Sequence, residues 1–126
     1  MSAEKDLKIL VVDDFSATRT IVINQLNKLG YSNTVEAENG FSALARLKSA
    51  FFDLVITECN LSDMSGLDLL KQISSDSDLK HIPVLMVTSD DLKGNIITAI
   101  KAGLNDYIVR PFEECTFKQK LEKIFV

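Results

Sequence analysis

Four apolar residues in a row, Ile9-Leu10-Val11-Val12, end abruptly at Asp13-Asp14. A short apolar run without alternation reads as a strand covered on both faces. The period then changes. Between Ser16 and Leu29 the apolar positions Val22, Leu26 and Leu29 recur at helical spacing, and Gly30 supplies a stop. The same alternation continues down the chain. Thr34–Ala37 is a weaker strand, Asn39-Gly40 turns into a helix with Leu44 and Leu47 on one face, and Asp53–Thr57 is a third strand. Glu58 to Met64 is polar and irregular, hence a loop. Ser65 and Asp68 have the spacing of a capping box for a helix through Leu69, Leu70 and Ile73. After Pro83, Val84–Val87 is a fourth apolar run that ends at Thr88-Ser89, and a helix over about Asp91 to Ala102 stops at Gly103. Asp106–Val109 is a fifth strand, cut off by Arg110-Pro111 because proline cannot continue a central strand. Phe117, Leu121 and Ile124 mark the last helix.

Five strand–helix pairs predict an α/β fold: one doubly wound (βα)5 sandwich with a parallel sheet and helices on both faces. The strands are too few for a closed (β/α)8 barrel. In open sheets of this kind ligands bind beyond the carboxyl ends of the strands. Asp13 and Asp14 end the first strand, Glu58 the third, Thr88 the fourth and Arg110 the fifth. Three carboxylates on one edge repel unless they are neutralised, and a hard cation such as Mg²⁺ is the natural partner. The simpler alternative is that acidic strand ends merely greet the positive end of the following helix.

Composition narrows the choice. The 126 residues carry 14 Lys+Arg against 18 Asp+Glu, a formal charge of −4. That length fits a single domain over 1–126 with a core of its own. The acidic balance argues against a nucleic-acid partner, which needs a basic patch, and against docking on anionic lipid. No apolar stretch approaches a membrane span, and the first residues lack the order of a signal peptide. Cys59 and Cys115 form no metal or redox motif, so two reduced thiols and a cytoplasmic location are expected. His81, the one histidine, precedes Ile82-Pro83 and reads as a loop residue entering a strand. The turn Asp13-Asp14-Phe15-Ser16 lacks glycine and repels phosphate, which argues against a flavin or dinucleotide protein.

The residues on this edge resemble those of CheY-like receiver domains of two-component signalling. The likeness runs from about Asp6 to Phe125. It is carried by Leu10–Ser16, by Asn60, Met64 and Ser65-Gly66-Leu67, by Pro83–Ser89, and by Tyr107-Ile108-Val109-Arg110-Pro111-Phe112. The resemblance implies a strand order of 2-1-3-4-5. It implies Mg²⁺ on Asp13 and Asp14, with Glu58 beside them and the Asn60 carbonyl contributing. It implies phosphoryl transfer to an aspartate at the position of Glu58, and a lysine, at the position of Arg110, that pairs with the phosphate through a cis bond to proline. Thr88 and Tyr107 would respond, and the face of helix four, strand five and helix five would bind a motor switch protein or a histidine kinase. Chemotaxis, control of flagellar rotation and a monomeric state follow from the same likeness.

Glu58 and Arg110 depart from that pattern, as do Cys59, in place of an aromatic residue, and Ser62, in place of proline. A glutamate carboxylate reaches about 1 Å further than that of aspartate, and such a shift can cost roughly a hundredfold in rate. A guanidinium fork pairs bidentately with a carboxylate, which lysine cannot do. A direct Glu58–Arg110 ion pair is therefore expected, competing with Mg²⁺ and weakening it. The chain then reads as a pseudo-receiver that binds partners without being phosphorylated. The alternative is a working Mg²⁺-dependent phosphoacceptor in which Glu58 is an engineered phosphomimic. Asp63 and Ser62, in the loop, remain as other acceptors.

Overall fold

The computed structural model describes residues 6–88 and 96–125. Strands and helices alternate: β1 (Ile9–Val12), α1 (Ser16–Lys28), β2 (Thr34–Ala37), α2 (Gly40–Ser49), β3 (Leu54–Thr57), α3 (Gly66–Ser75), β4 (Val84–Thr88), α4 (Ile96–Lys101), β5 (Asp106–Val109) and α5 (Glu114–Phe125). The sheet has the order β2-β1-β3-β4-β5, and every pairing is parallel. The order implied by the resemblance is the one observed.

Burial explains which runs were easy to read. Every residue of β1, β3 and β4 is buried, and these central strands are apolar up to the threonines that end β3 and β4. The edge strands β2 and β5 are only partly covered and carry Glu36 and Asp106. Successive strand residues point to opposite faces and divide the core in two. Leu10, Val12, Val55, Val84 and Met86 pack with Leu44 and Leu47 of α2, Leu69, Leu70 and Ile73 of α3, and Ala99 of α4. Ile9, Val11, Leu54, Ile56, Leu85 and Val87 pack with Val22 and Leu26 of α1 and Phe117 and Leu121 of α5. The layers hold the carboxyl ends of β1, β3, β4 and β5 in one row.

Two local expectations need correction, and a third lies partly outside the described residues. Asp53 lies outside β3; its carboxylate accepts the Lys8 N–H at 2.8 Å instead. The reciprocal capping box sits at Asn39 and Ser42, at the start of α2. At α3 only the Ser65 side chain accepting the Asp68 N–H, 3.0 Å, is present. Of the helix expected over Asp91 to Ala102, α4 covers Ile96–Lys101, and residues 89–95, Ser89 among them, lie outside the described residues.

Candidate functional site

Each carboxyl-end residue is set in place by a backbone bond that carries the ladder past its strand. Asp13 N–H donates to Ala37 O (3.1 Å), Glu58 N–H to Val12 O (3.0 Å), and Arg110 N–H to Thr88 O (2.7 Å). Asp13 and Glu58 are thereby fixed as buried carboxylates, 5% and 7% exposed. A carboxylate at that depth needs partners, since unpaired burial of charge is costly. Asp13 Oδ1 accepts the Phe15 N–H at 3.0 Å, and Glu58 Oε1 accepts the Cys59 N–H at 2.8 Å.

Arg110 supplies the rest. Its Nη2 donates to Glu58 Oε2, and its Nη1 reaches Asp13 Oδ2 at 3.4 Å. The fork expected to pair bidentately with Glu58 is thus divided between two carboxylates. The physical reason is that Glu58 Oε1 is already committed to the Cys59 amide, while Asp13 Oδ2 lies within reach. The Arg110–Pro111 bond is cis.

The other expected site residues have separate partners. Asp14, half-buried, accepts the Ser62 N–H on Oδ1 at 3.1 Å. Asn60 is exposed, and its main chain forms an antiparallel bridge with Ser65. Thr88 is fully buried, with Oγ1 2.8 Å from Cys59 Sγ. Tyr107 is half-buried against the α2–α3 side of the core. Lys120 Nζ lies 5.7 Å from the centre of its ring and 2.9 Å from Asp106 Oδ1.

One participant was missed in the sequence, and a second was read in another role. Arg19 of α1 donates from Nη1 to the Asp13 carbonyl at 2.5 Å and pairs through Nε with Glu36 of β2 at 2.7 Å. It holds the main chain of the residue whose side chain Arg110 holds. A lone arginine one turn into a helix carries no signal in sequence, because its reach back to the preceding loop is a tertiary fact. Asp63 is the second. Its carboxylate accepts the N–H groups of Gly40 and Phe41, both at 2.9 Å, tying the β3–α3 loop to the start of α2. An acid so engaged faces α2 and is a poor candidate for a substitute acceptor.

Asp63 also carries a pH signature. The slight desolvation of this exposed side chain would raise its pKa, but the N–H groups of Phe41 and Gly40, with those of Asp63 and Met64, outweigh this and hold it below the ordinary carboxylate value. A depressed folded-state pKa adds stability above the unfolded value, and that stability is lost as pH falls through the folded one. Asp63→Ala is expected to cost about 1 kcal/mol at neutral pH, the ordinary value of a helix-capping oxygen. Urea unfolding at pH 7 and again in strong acid checks this: the difference between variant and wild type should shrink in acid. A difference independent of pH would contradict it.

Among the described residues, no three His, Cys, Asp or Glu side chains come together in a metal-ligating group. Arg110 lies against both Asp13 and Glu58, so a divalent ion would have to displace it from one of them. As arranged, both carboxylates have the Arg110 guanidinium as a counterion. A cavity of about 490 Å³, lined by Leu47, Phe51, Asp76, Leu79, His81 and Ile82 among others, shares no residue with this edge. His81 is an exposed residue there, ahead of β4. No helix of the described residues is long and apolar enough to cross a membrane.

Comparison with known families resolves what the edge belongs to. The response regulator receiver domain family matches residues 9–122. The chain belongs to that family. This receiver is 53% identical over 121 residues to the chemotaxis protein CheY-3 of Vibrio cholerae serotype O1, covering 96% of this chain and 93% of the relative. It is 49% identical over 119 residues to the chemotaxis protein CheY of Pseudomonas aeruginosa, covering 94% and 96%. Among solved structures, CheY4 of Vibrio cholerae superposes with a TM-score of 0.85 at 29% identity, covering 94% of this receiver and 98% of that chain. The receiver domain of the sensor histidine kinase PA1611 of Pseudomonas aeruginosa shares the fold, with a TM-score of 0.85 at 24% identity over 96% and 99% of the two chains. That structure has a magnesium ion coordinated in its active site cleft. The present chain is therefore a CheY-like receiver, and the doubly wound fold read from its strands is the receiver fold.

Proposed function

We propose that this receiver works in chemotaxis signalling as a partner-binding module whose phosphoryl site is closed by its own side chains. The observation that carries the reading is Arg110 reaching Glu58 and Asp13 together. An arginine placed there does for the two carboxylates what Mg²⁺ and a lysine would otherwise share. Glu58 brings one negative charge and two acceptor oxygens, against about −1.5 to −2 and three oxygens for a phosphoryl group, so it imitates phosphorylation in part. The relatives named as chemotaxis proteins support the pathway.

Output then passes through non-covalent contact. The α4–β5–α5 face is the surface we assign to the partner, a motor switch protein or a histidine kinase, with Tyr107 and Lys120 side by side on it. Mg²⁺ would be held by Asp13, Asp14 and the Asn60 carbonyl only after Arg110 gives way, and its affinity is correspondingly weak. The receiver is read as a cytoplasmic monomer.

The test is direct. Wild-type protein incubated with Mg²⁺ and a small acyl phosphate should keep its intact mass. A gain of one phosphoryl group on Glu58 would overturn the proposal in favour of a working phosphoacceptor.

A further inference from the structure

Four residues on the carboxyl edge close a ring. Glu58 and Cys59 are consecutive, the Glu58 carboxylate is hydrogen-bonded to the Arg110 guanidinium, the Arg110 N–H donates to Thr88 O at 2.7 Å, and Thr88 Oγ1 lies 2.8 Å from Cys59 Sγ. The circuit joins the ends of β3, β4 and β5. Its least expected link is the thiol. Cys59 has little freedom to aim elsewhere, because its N–H is given to Glu58 Oε1 at 2.8 Å and its carbonyl takes the Gly66 N–H at 2.7 Å. Gly66 is pressed close enough that a Cβ there would lie 2.8 Å from Cys59 Cα. The Cys59 side chain packs against the same side of the core as Tyr107. Thr88, at 0% exposure, is the buried hydroxyl on which this fixed thiol bears.

We propose that Cys59 is a positioning residue. Its thiol orients the Thr88 hydroxyl and, through the Thr88 main chain, steadies the Arg110 segment that leads into the partner-binding face. The inference rests on the reading of the site as closed without phosphate, and adds the part played by β4. A thiol–hydroxyl contact is a weak hydrogen bond, but between groups already immobilised it costs little ordering.

NMR on the full chain tests this with two variants of opposite character. Cys59→Val keeps bulk and removes the polar contact. It should speed amide exchange at Arg110 about fivefold, the factor for one lost hydrogen bond, and shift the Thr88 γ-methyl signal. Cys59→Ser keeps the polar contact and should restore both. A packing role predicts the reverse order, with valine resembling wild type and serine perturbed, and that result would overturn the proposal. The Arg110 Nη2–H signal, read in the same spectra at low temperature, reports the Glu58 pair separately. If that signal is protected while Cys59→Val leaves Thr88 and the Arg110 amide unmoved, the thiol link fails and the closed site stands. An unprotected signal in the wild type removes the closed site itself. Should Cys59→Val not fold, Thr88→Val with iodoacetamide gives the second route. Alkylation of Cys59, relative to exposed Cys115, should then rise about fivefold, and an unchanged ratio counts against the link.

Discussion

The double variant Glu58→Asp/Arg110→Lys, given Mg²⁺ and a small acyl phosphate, is expected to gain the mass of one phosphoryl group, at least about a hundredfold faster than the wild-type chain. The carboxylate oxygen attacks phosphorus, the bond from phosphorus to the acyl oxygen breaks, and the carboxylate of the donor leaves. Phosphoryl transfer is mostly positioning and charge stabilisation, so small displacements decide it. Glu58 places its carboxylate against Arg110, with one oxygen bound to the Cys59 amide and the other to the guanidinium. Aspartate withdraws the group by about 1 Å and lysine removes the fork, which leaves an acceptor oxygen open. Glu58→Asp alone should fall between, since Arg110 would still cover Asp13. Intact mass against time measures all three. Should the double variant stay inert although folded, the two substitutions are not what closes the site.

Arg110→Ala is the second large effect, expected to cost about 3 kcal/mol of stability in urea unfolding without divalent ions. Removing one partner of a buried pair leaves the others charged and unpaired. Here two carboxylates are left, each side chain 8% exposed. The figure is at the low end for such losses because the Arg110 side chain keeps 19% exposure and water can enter where it stood. Mg²⁺ should then become a strong stabiliser. An ion that binds only the folded chain contributes about 2.7 kcal/mol at one hundred times its dissociation constant. In the wild type that gain is smaller, because the ion must first displace the guanidinium. Equal Mg²⁺ effects on the two proteins would dispose of the competition.

How much of this was written in the sequence differs by element. β1, β3 and β4 were legible because a strand buried on both faces is almost wholly apolar, and the polar residues Asp13, Thr57 and Thr88 mark where each apolar run stops. The topological rule for open sheets then gathered Asp13, Glu58 and Arg110 without knowledge of any contact. Whether the guanidinium would serve one carboxylate or two was not legible. It depends on the Cys59 amide having taken one oxygen of Glu58, a matter of loop geometry. Arg19 and the thiol of Cys59 escaped for the same reason: their partners lie 6 and 29 residues away, beyond any local pattern. Asp63 looked like a spare acid because its partners, at the start of α2, lie 22 and 23 residues before it.

Arg110 on its two carboxylates has one more consequence. A metal ion is a counterion shared with every other binder in the cell, and its occupancy follows supply. An arginine is synthesised into the chain, one per molecule, and can be neither chelated nor diluted. A receiver neutralised in this way would carry its resting state as an inherited property of the polypeptide, less dependent on the divalent ions around it. What it conveys to a partner would then be set by how many copies are made and where they meet that partner.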